Sequence, residues 1–400
     1  MKTENCNFQS FLFLLKTYKI YNSSETLPKS WDALTSHDIF LQKKYLIALE
    51  KGTPENIQLY FVGVFFDEVL IGVAVVQHVK LYLEDMFRKS EVSCIKEAFQ
   101  KMVSKVLKGN VLVVGNLTHT GQHGMFFNEK KISYASYSDL VMEALNALKI
   151  RIKANHNKTV RLMIFKDFFT DDILYNQTSV FQKHKLHQVS VQPNMIFKVP
   201  SHWGNINDYT SELKKKYRDR YKRARKKLGK IACVELDLKA VESYNKTLHK
   251  LYLNVSNNAK FNSFRLPENH FLSLKQNLKD DFKVYGYFLD QELVGFYTLI
   301  LNGKHLETYF LGYDSKHQYS NQVYLNMLYA MLNFAIEYQF THIVYARTAM
   351  AIKSSVGAKP LAMVMYMKHT NPYWNWLLKP VFKLMNPKQE WEERHPFKDV

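Results

Sequence analysis

An α/β chain built from two mixed-sheet units is what this sequence predicts, and three observations predict it. The 400 residues exceed a typical domain of about 150 more than twofold, which favours two domains. One hairpin motif occurs twice: Gly63-Val-Phe-Phe-Asp67-Glu-Val-Leu-Ile-Gly72 matches Gly286-Tyr-Phe-Leu-Asp290-Gln-Glu-Leu-Val-Gly295 without a gap, 223 residues further on. The same order of strands and helices then follows each copy.

Each copy of the motif reads as two apolar strands joined by a short turn, Asp67-Glu68 or Asp290-Gln291. Asn302-Gly303 is a strong hairpin signal and predicts a third strand over Lys304–Tyr313. Leu325, Leu328, Met331, Leu332 and Ala335 have helical spacing within a helix expected over Asn321–Tyr338. A strand Thr341–Ala346, a helix Thr348–Val356 ending at Gly357 and a strand Leu361–Lys368 complete the second copy. The first copy has a hairpin over 59–79, a strand over 111–117, a helix over 136–153, a strand over 160–165, a helix over 171–184 and a strand ending near Val199. About 41 extra residues separate its hairpin from its later elements, and an expected helix Arg88–Leu107 fills them. The predicted organisation is a first unit over 1–204 with an insertion at about 80–110, a linking helix over 205–230 and a second unit over 231–400.

The linking helix carries the most concentrated charge in a chain of net charge +19. Between Lys214 and Lys230 lie eleven bases, among them Lys216, Arg218, Arg220, Arg223 and Lys226, against the single acid Asp219. Tyr209, Leu213, Tyr217, Tyr221, Ala224 and Leu228 recur every three or four residues and form a narrow apolar seam. The seam should pack on the protein and the cations should face an anionic partner.

Other classes are excluded. Glycine and proline are too few for a collagen-like or low-complexity chain. Cys6, Cys94 and Cys233 lie far apart, with no metal or disulfide spacing, so a reducing compartment is expected. The apolar run Phe11–Leu15 is too short for a signal peptide, and no stretch reaches the roughly 20 apolar residues of a spanning helix. A soluble or peripherally membrane-bound cytoplasmic protein is the expectation. Phosphate-loop, dinucleotide, nucleophile-elbow and zinc-protease motifs are absent. His119 and His123 have i, i+4 spacing, but Gly121 and Gly124 argue against a helix there, and no metal site is expected. Because this loop follows the strand Val111–Val114 and precedes a helix, its backbone amides are candidates to cradle an anion.

The duplicated order of elements resembles the GNAT acyltransferase fold. Arg347-Thr-Ala-Met-Ala-Ile-Lys353-Ser-Ser-Val-Gly357 and Met365-Tyr-Met-Lys-His369 are similar to motifs of the tandem GNAT proteins of peptidoglycan biosynthesis or recognition, relatives of the Fem aminoacyltransferases. That resemblance extends to the basic helix and to Gly115-Asn116 with Thr120-Gly121-Gln122-His123-Gly124. In place of a glycine-rich pyrophosphate run the second unit has His317–Gln322, and Ala351 stands where relatives often carry a carboxylate.

The resemblance implies direct attack of an amine on an activated acyl group from CoA, a carrier protein or tRNA, with no metal. Glu307 or His305 would act as base or positioner and Tyr313 or Tyr345 would protonate the leaving group. Asn116, Gly121, Gln122, His123, Gly124, Arg347, Lys353, Ser354 and Ser355 would bind donor or substrate. The implied acceptor is a small or lipid-linked amine of a cell-envelope precursor. A non-catalytic polyanion-binding scaffold is the competing reading, favoured by the missing glycines and carboxylate. The tail from Tyr373 to Met385 mixes Trp374, Trp376 and Phe382 with lysines, which suits either contact with an anionic inner membrane face or packing on the second unit.

Overall fold

The computed structural model describes residues 16–81, 109–258, 264–377 and 391–398. Cys6, Cys94, the expected helix Arg88–Leu107 and the tail from Leu378 to Met385 lie outside them.

Both repeated hairpins form as the sequence predicts. Strands β2 (Ile57–Phe66) and β3 (Val69–Leu81) are joined by Asp67 and Glu68, at φ 45° and 64°. Strands β9 (Phe282–Leu289) and β10 (Glu292–Asn302) are joined by Asp290 and Gln291, at 47° and 68°. Two left-handed residues make the turn that follows the right-handed strand twist. The repeated glycines have one packing reason in each copy. A Cβ on Gly63 would meet the Phe65 ring at 2.9 Å and Leu70 at 3.0 Å; on Gly286 it would meet Phe288 at 2.8 Å and Leu293 at 2.9 Å. Glycine, phenylalanine and leucine recur together because they pack as one unit.

The remaining strands are β1 (Lys16–Tyr21), β4 (Gly109–Val114), β5 (Met125–Phe127), β6 (Val160–Phe169), β7 (His187–Lys198), β8 (Ala232–Glu235), β11 (His305–Tyr313), β12 (His342–Val344) and β13 (Lys359–His369). All join one mixed sheet in the order β1-β2-β3-β4-β6-β13-β7-β12-β11-β10-β9-β8, with β5 pairing β3. This order is palindromic in type: each half contributes an edge strand, a hairpin, a third strand and a parallel partner. The last strands are exchanged. β13 pairs β6 of the first half, β7 pairs β12 of the second, and β7 and β13 run antiparallel at the centre. A chain division at 204/205 therefore places β7, from before it, inside the half-sheet of the second copy.

Helices cover the sheet where their apolar stripes demand it. Tyr137, Val141, Leu145, Leu148 and Ile152 of helix Tyr134–His156 are buried against the first half, and Leu325, Leu328, Met331, Leu332 and Ala335 of Val323–Glu337 against the second. A third cluster joins the halves. Trp31, Tyr45 and Leu49 pack with Phe61 and Val75 of the first hairpin and with Phe271, Phe282 and Phe296 of the second half. Large rings fully buried across both copies make independent movement of the halves costly.

The basic seam is borne out, but on two helices rather than one. Asn205 and Asp208 form a capping box that starts Ile206–Glu212, and the chain straightens at Leu213 before Lys215–Leu228. The cause lies in the C-terminal segment: Leu213 bridges Phe397, and the Lys214 amide donates to the Pro396 carbonyl at 2.8 Å. Backbone partners outside the helix have displaced one intrahelical turn. The expected strand 111–117 likewise stops at Val114, and the expected helix 171–184 begins only at Thr178.

Candidate active site

The site begins with an interruption in the first half-sheet. Val114 pairs Val76 of β3, and Met125 pairs Ala74, leaving the single rung at Val75 between them. There Gly115 donates to the Val75 carbonyl at 2.9 Å, and the Val75 amide donates to the Gly124 carbonyl at 2.8 Å. Residues 116–123 leave the sheet and return at the same rung. A Cβ on Gly124 would lie 2.3 Å from the Gly115 Cα, so the neck of the loop closes only between two glycines.

Side chains satisfy several backbone groups of this loop. Asn116 Oδ1 accepts from Gln77 Nε2 at 2.8 Å and from the Thr118 amide at 3.0 Å, while Asn116 Nδ2 donates to Tyr45. The Leu117 amide donates to Gln77 Oε1, and the Gly121 amide to Asp167 Oδ2. Three amides of the expected anion cradle, those of Leu117, Thr118 and Gly121, are thus paired within the protein, and β5 intervenes before the next helix. Gln122 bridges Asp172 and the Phe169 amide.

These anchors deliver His123 into a buried cluster drawn from distant segments. Its Nδ1 donates to Asp38 Oδ2 at 2.8 Å. Asp38 Oδ1 accepts from the Phe40 amide and from Asn302 Nδ2, each at 3.1 Å, and Asn302 Oδ1 accepts from the Ile39 amide. On its other side His123 Nε2 lies 3.8 Å from Glu307 Oε1, which is buried without a hydrogen-bond partner. Burial alone would raise the Asp38 pKa, but the charge and hydrogen bond of His123 hold it below the usual range. Burial opposes a charge on His123, and Asp38 and Glu307 overcome it and raise its pKa. Burial pushes Glu307 up to about 7, with His123 opposing the shift.

Two cavities meet this strand. Glu307 and His305 line one of about 710 Å³, together with Gln122 and His123. Thr308 to Leu311 and Tyr313 line a cleft of about 640 Å³. The cleft exists because β11 and β12 are parallel partners only over His305–Glu307 and His342–Val344, then diverge. Ala346, Thr348 and Ala349, all at positive φ, turn the second chain away.

Residues 215–354 match the model of the Acetyltransferase (GNAT) domain family. That stretch therefore carries the sequence signature of a GNAT-type domain. The fold of the chain is shared with a crystal structure of FemX, at a TM-score of 0.54 and 11% identity over 92% of this chain and 100% of that one. It is shared as well with a tandem GNAT protein from the clavulanic acid biosynthesis pathway, at 0.51 and 8% over 90% and 99%. A sequence search of curated proteins returns no match.

Within this tandem GNAT architecture the other candidate residues fall into two groups. Glu307, Tyr313, Tyr345, Gln122, His123, Arg347 and Lys353 line one or other cavity. Several of them are committed to the fold. Tyr345 donates to the Leu328 carbonyl at 3.0 Å, and Lys353 Nζ donates to the carbonyls of Ala346 and Arg347, bracing the left-handed turn. Burial brings that ammonium down to about 7. Arg347 forms an ion pair with Asp167, which also binds Lys166. Ser354 and Ser355 donate to the helical carbonyls of Ala351 and Ile352, away from both cavities, and Asn116 serves the loop. Of the basic-helix residues, Lys216, Arg223 and Lys226 are exposed and Arg218 and Arg220 partly so. Sequence reasoning missed Asp38, Asp167 and Asn194. No local signal marks them; Asn302 was legible only as a turn residue.

Among the described residues no group of histidine, cysteine or carboxylate side chains has a metal-holding arrangement, and no helix is long and apolar enough to cross a membrane.

Proposed function

We propose that the protein transfers an aminoacyl group from a tRNA ester to an amine on a cell-envelope precursor, with Glu307 as general base. The observation that carries this reading is the buried Glu307 carboxylate, its Oε1 without a hydrogen bond, on the wall of one cavity and one residue along β11 from the wall of the other. A carboxylate raised to about 7 changes protonation near neutrality, which suits a base. The acyl donor lies in the cleft and the amine in the cavity. The amine nitrogen attacks the acyl carbon, the C–O bond to the tRNA ribose breaks, and the surplus proton on nitrogen passes to Glu307. Tyr313, half-buried in the cleft, supplies a hydroxyl for the departing oxygen.

The choice of tRNA over CoA rests on helix Val323–Glu337, which lines the cleft with Tyr324, Leu328 and Met331. At its start Asn326 donates to the Ala224 carbonyl and Asn321 to the Lys227 carbonyl, so the basic helix occupies the ground beside that terminus. Gln322, at φ 50°, stands where a glycine would approach a pyrophosphate. A large polyanion meeting the exposed cations of Lys215–Leu228 would bring its acyl end to the cleft. The short helix Pro372–Leu377 exposes Tyr373, Trp374 and Trp376, anchored through Asn375 to the Lys185 carbonyl, and suits docking on an anionic membrane that carries the acceptor.

The decisive assay supplies radiolabelled aminoacyl-tRNA, acyl-carrier protein or acyl-CoA with an envelope extract. Consumption of aminoacyl-tRNA by the wild type and not by Glu307→Gln is expected. Transfer from acyl-CoA alone would overturn the donor assignment, and consumption of none would overturn the transfer reading.

A further inference from the structure

The cavity beside Glu307 has a chemistry of its own. Its body is apolar and aromatic, with Phe169, Phe197, Trp203, Leu361 and Phe397 among its walls. These walls are fixed by backbone. Gly357 sits at φ 109°, and a Cβ there would lie 2.6 Å from both Phe197 and Phe397, so the two rings close against bare main chain. Phe397 is held in turn by its bridge to Leu213. A volume of about 710 Å³ lies within the range of small-ligand sites.

Two polar atoms in this apolar space have no hydrogen bond, although one of them, Glu307 Oε1, lies 3.8 Å from His123 Nε2. Glu307 Oε1 and Asn194 Oδ1 are both buried and both lack a hydrogen bond, on residues 4% and 1% exposed. Both are acceptors, and a buried acceptor left unpaired is costly unless a ligand satisfies it. The missing group must therefore bring N–H or O–H donors. A carboxylate or phosphate would meet the Glu307 charge with repulsion. An alcohol brings a single donor and no charge. An ammonium brings three donors and the opposite charge, and the surrounding rings favour a ligand whose remaining surface is hydrocarbon.

We propose that this cavity binds an apolar primary amine, its ammonium between Glu307 and Asn194 and its hydrocarbon or aromatic body against the walls from Phe169 to Phe397. Naming this ligand the acceptor rests on the transfer reading given above; the binding chemistry does not. Once bound, the ammonium gives one proton to the Glu307 carboxylate, which releases it to solvent and is ionised again to take the second proton that attack sets free. The neutral amine is then free to attack an acyl carbon presented from the cleft.

Isothermal titration of the full-length protein, without any acyl donor, tests the assignment. Hexyl-, octyl- and decylamine are compared with the alcohols and carboxylates of equal length. Affinity for the amines should rise about fourfold per added methylene and exceed that of the matched alcohol or carboxylate at least tenfold. Leu361→Trp, which fills the space, should abolish binding, and Asn194→Leu and Glu307→Gln should each weaken it about tenfold or more. Binding independent of chain length, or a carboxylate binding as tightly as its amine, would overturn the proposal whether or not the variants fold. The two readings fail separately. Acyl transfer to a hydrophilic amine with no alkylamine binding removes the cavity assignment alone, and alkylamine binding with no donor consumed removes the transfer reading alone.

Discussion

The two halves of the sheet differ most at a single rung. In the second half, Leu299 pairs Thr308 and Tyr297 pairs Leu311, so Tyr309 and Phe310 bulge opposite Thr298. The corresponding rung of the first half is Val75, and there the bulge has grown into the loop from Gly115 to Gly124. The neighbouring parallel pairs diverge in the opposite sense. β11 and β12 stay together only to Glu307 and open the cleft, whereas β4 follows β6 through Val114 and Phe165, and a Cβ on Gly115 would sit 2.5 Å from the Lys166 side chain. The first copy has closed its own cleft and lends its loop to the other. The two copies share one order of strands, and the backbone insertion at this rung is what distinguishes them.

The most severe way to break this division is at the neck of the loop. Gly124→Ala should destabilise the fold by about 3 kcal/mol and displace His123, read as a fall in melting temperature together with an absence of transfer. The contrasting Gly303→Ala, in the turn of the second half where a Cβ meets nothing within 4 Å, carries only the positive-φ cost of about 1 kcal/mol. Equal destabilisation at the two sites would mean that the neck is not special.

Glu307→Gln should lower kcat about 10²-fold or more while leaving the protein folded. The folded-state pKa of Glu307 is raised above its unfolded value, so its contribution to stability is complete in acid and is lost as pH rises through about 7. The melting temperature of Glu307→Gln relative to wild type should therefore be more favourable at pH 8 than at pH 5. A constant difference across that interval would contradict the burial of an ionising carboxylate.

A subtler test asks whether the loop of one half tunes the strand of the other. His123 favours the ionised form of Glu307, so His123→Gln should move the acid limb of kcat/KM to higher pH. An unmoved limb with reduced kcat would leave His123 a structural role only. Smaller again is the effect of the linking helix. Replacing Lys222, Arg223, Lys226 and Lys227 with glutamine should reduce the salt dependence of tRNA binding by roughly 0.7 to 0.9 in log–log slope for each phosphate that is no longer neutralised. The smallest change is expected at the tail, where Trp374→Ala with Trp376→Ala should reduce sedimentation with anionic vesicles and leave transfer to a water-soluble amine intact.

Much of the scaffold was legible because its causes are local. Asp67-Glu68 and Asp290-Gln291 announce their turns, Asn302-Gly303 announces the third strand, and the periodic apolar residues of 134–156 and 323–337 announce the helices that cover the sheet. Glu307 and His123 were legible as candidate residues through the fold resemblance, but not as neighbours. The break at Leu213 was not legible, since the seam continues through it and only the Phe397 segment supplies the competing partners.

By itself the sequence determined two copies of one strand and helix order and a concentrated basic seam between them, because turn chemistry and side-chain periodicity act over a few residues. Tertiary structure alone decided the exchange of β7 and β13 and the meeting of Asp38, His123, Asn302 and Glu307. Asp38 reaches His123 across 85 positions and Asn302 across 264. Pairings at such separations have no period and no local propensity; they appear only when the shared core has brought both halves into one sheet.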